Sequence, residues 1–159
     1  MFKRILVAID ASDYSRPVLP AAIEVARKFG SSVFVLHVVE HDHGRAAVYA
    51  TESPADSTRL VADSMKAIRD AGVRVEGEVG DVAVGRIAND IVETAKALES
   101  DLIVMGSRGL SDVQGLLLGS VTHKVMHLAQ IPVLVVRGPI PVPVKARQPA
   151  AALATGALA

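Results

Sequence analysis

Apolar positions along this chain fall into two alternating kinds of segment. Short continuous runs, such as Arg4–Ile9 (RILVAI) and Asp101–Met105 (DLIVM), leave no polar face and predict strands buried on both sides. Between such runs lie longer stretches with apolar residues at helical spacing. Val18, Ala22, Val25, Ala26 and Phe29 share one face of a helix reaching about Lys28, with Gly30 as its stop. Pro17 suits the first turn of that helix, whereas Pro20 lies deeper and predicts a later start or a bend. Ser32–Val39 (SVFVLHVV) is a second strand, and Glu40 to about Pro54 is polar, without period, and reads as a loop. Ala55–Ala71 is a helix through Leu60, Val61, Met65 and Ile68, stopped by Gly72. Val73–Val79 alternates as a less buried strand nearer a sheet edge. A third helix spans Val84–Leu98 through Ile87, Ile91, Ala95 and Leu98. Ser120–Ala129 and Pro132–Arg137 close the series as a helix and a strand.

Strands alternating with helices predict an α/β fold, a single open parallel five-stranded sheet with right-handed crossovers and helices on both faces. The folded unit is expected over residues 1–137. Residues 138–159 (GPIPVPVKARQPAAALATGALA) are rich in Pro and Ala, with little amphipathic pattern, and are expected to form a mobile tail.

Composition narrows the function classes. The chain has 159 residues, half of them hydrophobic but only 3% aromatic, so Val, Ile, Leu and Ala must build the core. Lys plus Arg balances Asp plus Glu at 17 each, and Trp is absent. Neither long-range attraction to nucleic acid nor a base-stacking platform is expected. Cysteine is absent, which excludes disulfides and thiolate chemistry. The apolar run after Lys3 and Arg4 ends at Asp10, too short for a signal core or a membrane helix. A soluble, cytoplasmic protein that does not enter membranes is the expectation.

The chemistry concentrates in residues 106–125, GSRGLSDVQGLLLGSVTHKV. A strand–helix connection needs only a few residues, so this glycine-punctuated loop is oversized. It leaves the carboxyl end of a buried strand, where open parallel sheets bind ligands. Gly106 and Gly109 permit positive φ and close backbone approach, and Gly119-Ser120 opens a helix whose unpaired N–H groups favour an anion. Ser120 and Thr122 add hydroxyls. Gly115 has no evident role, and Arg108 reads equally as a phosphate partner or a solvated loop arginine. A Walker loop requires Lys before Ser/Thr, which Gly119-Ser120 lacks. A dinucleotide fingerprint requires glycines after the first strand, where this chain has Asp10-Ala11-Ser12-Asp13.

The spacing Gly106-x2-Gly109-x9-Gly119-Ser120 resembles the signature of the universal stress protein family, in its ATP-binding branch. ILVAIDAS, LHVV, DLIVMGSRGL, LLGSVTHKV and IPVLVV extend the resemblance over about residues 2–137. Relatives often carry a proline near Gly80-Asp81-Val82-Ala83, which leaves that local turn open here. The resemblance implies a Rossmann-like fold of the adenine nucleotide alpha hydrolase type and an ATP ligand, with or without Mg2+. It implies that Ala8, Ile9 and Asp10 end the first strand, with Asp10 meeting the nucleoside or its metal. Val38 or Val39 would meet the adenine, and Met105 and Gly106 the ribose. Arg108 and Gly109 would flank the phosphates, held by Gly119, Ser120, Val121 and Thr122. It also implies a homodimer through the last strand, which an apolar edge favours.

Other polar residues have plainer readings. Asp10 can instead cap the following helix. His123 and His127 are spaced i,i+4 but lack a third ligand and read as a solvated helix face. His41 and His43 flank Asp42 in the loop, Ser111 and Asp112 offer no persuasive general base, and His37 reads as a hydrogen-bonded core or rim residue. The expected function is an ATP-dependent sensor or regulator in stress response. The alternatives are a slow Mg-dependent ATPase or phosphotransfer enzyme, and a nucleotide-free scaffold.

Overall fold

The computed structural model describes residues 1–12, 15–41, 53–108 and 118–137. Gly109, Ser111, Asp112, Gly115, Asp42, His43 and the expected tail at 138–159 lie outside the described residues. The element order is β1 (Arg4–Ile9), α1 (Val18–Phe29), β2 (Ser32–His41), α2 (Pro54–Asp70), β3 (Val75–Ala83), α3 (Ile87–Ala97), β4 (Leu102–Gly106), α4 (Ser120–Leu128) and β5 (Val133–Val136). The five strands form one sheet in the order β3-β2-β1-β4-β5, and every pairing is parallel. Strand order reverses between β1 and β4, which opens a crevice at their carboxyl ends.

The alternation of side chains along each strand divides the core in two. Ile5, Val7, Ile9, Val33, Val35 and Val104 pack with Val18, Ala22 and Ala26 of α1 and Val61 and Ile68 of α2. Leu6, Ala8, Leu36, Ile103 and Met105 pack on the opposite face with Ala88, Ile91 and Ala95 of α3 and Val125 of α4. Continuous apolar runs are therefore required in β1 and β4, which are buried on both faces. Among the described residues, no helix is long and apolar enough to cross a membrane.

Several boundaries differ from the pattern in the sequence. Pro20 is the third residue of α1 and neither delays nor stops it, because the N–H it lacks is one of those without an intrahelical acceptor. Pro17 precedes the helix as its N-cap residue, with no side-chain cap. Phe29 is 40% exposed and packs edge-on against Phe2 at 5.3 Å instead of facing the sheet. β2 and β3 run past their expected ends because they pair in register out to His41 and Ala83. α3 starts at Ile87 instead of Val84, after Gly85 turns the chain at φ +82°. α2 begins at Pro54, where Ser53 accepts the N–H of Asp56 at 3.1 Å.

Candidate functional site

A cavity of about 430 Å³ lies at the crevice, within the range of small-molecule sites. The ends of β1, β2 and β4, α3 and the start of α4 all contribute to it. Ala8, Ile9, Asp10, Val38, Val39, Met105, Gly106, Arg108, Gly119, Ser120, Val121 and Thr122 all line it. These are the sequence-predicted site residues apart from Gly109, which lies outside the described residues.

Asp10 does not cap α1. Its Oδ1 accepts the N–H of Ser12 at 3.1 Å and the hydroxyls of Ser12 at 2.5 Å and Ser15 at 2.6 Å. Ser15 Oγ in turn accepts the N–H of Asp10 at 3.0 Å. The carboxylate is thus set by the turn that follows β1, at the mouth of the cavity. Beside it, His37 is 2% exposed and its Nδ1 lies 3.0 Å from the carbonyl oxygen of Ile9. A carbonyl only accepts, so Nδ1 carries the hydrogen. That bond ties β2 to the end of β1.

The other end of the cavity lies at the end of β4 and the start of α4. Gly106 is the last residue of β4, in extended backbone, and Gly119 has φ −70°, so neither is used here for a left-handed conformation. The N–H of Gly119 donates to Ser107 O at 2.8 Å, and Ser107 N–H donates to Val136 O at 2.9 Å. The Thr122 hydroxyl donates to Gly106 O at 2.8 Å. That hydroxyl is therefore committed to the protein, contrary to its expected availability, and only Ser120 keeps a hydroxyl at the helix start. The N–H groups of Ser120, Val121 and Thr122 occupy the first turn of α4 and have no intrahelical acceptor. These three residues line the cavity, where the positive end of the α4 dipole lies.

The profile of the universal stress protein family matches residues 1–137. The chain belongs to the universal stress protein family. It is 34% identical to universal stress protein YxiE of Bacillus subtilis over 156 residues, covering 86% of this chain and 100% of that protein. A solved universal stress protein from Archaeoglobus fulgidus shares 30% identity at a TM-score of 0.70, with 86% of this chain and 100% of the other covered. Another from the same organism, solved in complex with dAMP, shares 27% identity at a TM-score of 0.64, covering 86% of this chain and 98% of that one.

Within this universal stress protein fold, Ser15, Leu36, His37, Glu40, Ile87 and Ile91 also line the cavity but were not assigned to it from the sequence. Ser15 has a local signal, as a second short hydroxyl after Asp10. Glu40 sits where the sequence suggests a loop, and Ile87 and Ile91 look like ordinary core positions of a helix. His123 and His127 stack edge-on at 4.6 Å on α4, and among the described residues no group of three metal-binding side chains forms. His41 Nδ1 pairs with Asp81 Oδ1 across β2 and β3.

Proposed function

We propose that this universal stress protein is a cytoplasmic, homodimeric regulator that binds an adenine nucleotide, ATP, and signals its occupancy through conformation or association. One observation carries the reading: a single cavity joins an apolar slot to a helix N-terminus. Leu36, Val38, Val39, Ile87 and Ile91 line the slot, and Ser120, Val121 and Thr122 present the amides. A purine on a phosphate chain has this same division between apolar base and anion. The dAMP held by the Archaeoglobus fulgidus relative supports an adenine ligand.

In this reading Val38 and Val39 flank the adenine, Met105 and Gly106 lie under the ribose, and Ala8, Ile9 and Asp10 close the β1 side. Arg108, Gly109, Gly119 and the first turn of α4 meet the phosphates. Mg2+ on ATP needs only one or two protein carboxylates beyond the phosphates, and Asp10, held by Ser12 and Ser15, fits that need. Thermal melting of nucleotide-free protein tests the reading. Ligand at a hundred times Kd stabilises by about 2.7 kcal/mol when it binds the folded state alone. An unchanged melting temperature in millimolar ATP overturns the reading.

A further inference from the structure

α3 begins without the usual support. Its N-cap residue is Arg86, in helical backbone conformation and with no side-chain cap bond. The turn before it passes through Gly85 at φ +82° and is closed by the Arg86 N–H donating to Ala83 O at 3.1 Å. Two charged side chains from other elements also hold Gly85. Glu40, at the end of β2, accepts the Gly85 N–H on Oε1 at 2.7 Å. Lys124, on α4, donates from Nζ to the Gly85 carbonyl oxygen at 3.1 Å. Both peptide groups of one glycine are thus held by side chains, across 45 residues on one side and 39 on the other. Two positions further on comes Ile87, the first residue of α3, which with Ile91 forms part of the cavity wall.

Resting on the nucleotide reading above, we propose that Glu40 and Lys124 are positioning residues that latch the β3–α3 turn and so set the apolar wall against which the base packs. They act through Gly85 and Ile87. Loss of either tie loosens the wall without altering the amides of α4 that meet the phosphates.

The latch is tested first in ligand-free protein by amide hydrogen exchange over residues 84–88. Glu40→Ala and Lys124→Met speed exchange there, and Glu40→Gln, whose amide oxygen accepts the same N–H, retains wild-type protection. Calorimetric titration supplies the second readout. The Kd for ATP and the Kd for AMP rise by the same factor, about fivefold, in Glu40→Ala and in Lys124→Met, as expected for one lost hydrogen bond. Glu40→Gln recovers most of the affinity lost in Glu40→Ala. The double variant weakens binding by less than the product of the two single effects, because both side chains hold one residue.

Wild-type affinity in both truncated variants, or Glu40→Gln as weak as Glu40→Ala, overturns the latch and leaves the nucleotide reading standing. Wild-type protein that binds neither nucleotide removes that reading and this proposal together.

Discussion

Thr122 donates its hydroxyl to the carbonyl oxygen of Gly106 at 2.8 Å, a buried bond spanning sixteen residues. It fastens the first turn of α4 to the last residue of β4, the two pieces that frame one end of the cavity. Thr122→Val keeps the shape and removes the donor, so Gly106 O is left buried and unpaired. We expect a loss of about 1–3 kcal/mol in folding stability. Thr122→Ser, which keeps the hydroxyl, loses less. Urea unfolding of the three proteins checks the order, and a Thr122→Val variant as stable as wild type contradicts it.

Ser120 allows the amides of α4 to be probed without disturbing the fold. Proline is tolerated at the first helical position, where its missing N–H has no intrahelical partner. The preceding Gly119, at φ −70° and ψ 155°, already has the conformation a residue before proline prefers. Ser120→Pro is therefore expected to fold with an unchanged melting temperature. It removes one N–H and the hydroxyl from the anion end, and ATP affinity should fall about tenfold, as for a lost hydrogen bond to a charged group. Ser120→Ala, which keeps the N–H, should fall less. Calorimetry that finds equal ATP affinity in all three proteins removes α4 from the phosphate site.

These tests also mark how far the sequence reaches. The order of strands and helices is legible because burial on both faces of β1 and β4 forces unbroken apolar runs, and each helix shows one apolar face. Of the glycine–serine spacing, Gly106, Gly119 and Ser120 line one crevice, and Gly109 lies outside the described residues. What cannot be read locally depends on distant partners. β2 and β3 lengthen each other through pairing out to His41 and Ala83, and neither segment alone signals that. Which hydroxyl at α4 stays available depends on Gly106 O, sixteen residues away, which takes that of Thr122. Glu40 has meaning only once Gly85 is beside it.

Asp90 introduces a pH dependence with a defined sign. Burial raises its pKa first, the neighbouring Glu93 raises it further, and Arg86 offsets part of this. The carboxyl sits against Gly80, where an added Cβ would stand 2.8 Å from Asp90 Oδ2. A carboxyl with a raised folded-state pKa favours the folded state while protonated, and that contribution is lost as pH rises through the folded-state value. Asp90→Asn should therefore match wild type in acid below the usual carboxylate range and exceed it in stability at neutral pH. Melting curves across that interval check the crossover. A neutral-pH stability below wild type shows that the charged form is favoured in the fold.

Among the described residues β5 is an edge strand, paired only with β4, and it carries Leu134 at 37% exposure. An apolar strand edge of this kind invites pairing with another chain, and a second copy pairing there forms the proposed homodimer. Leu134→Lys places a charge on that edge while burying nothing new in the monomer. Light scattering at micromolar concentration should report a dimer for wild type and a monomer for Leu134→Lys, with thermal melting confirming that the variant still folds. A wild-type monomer overturns the homodimer, and a variant dimer as stable to dilution as wild type moves the association away from β5.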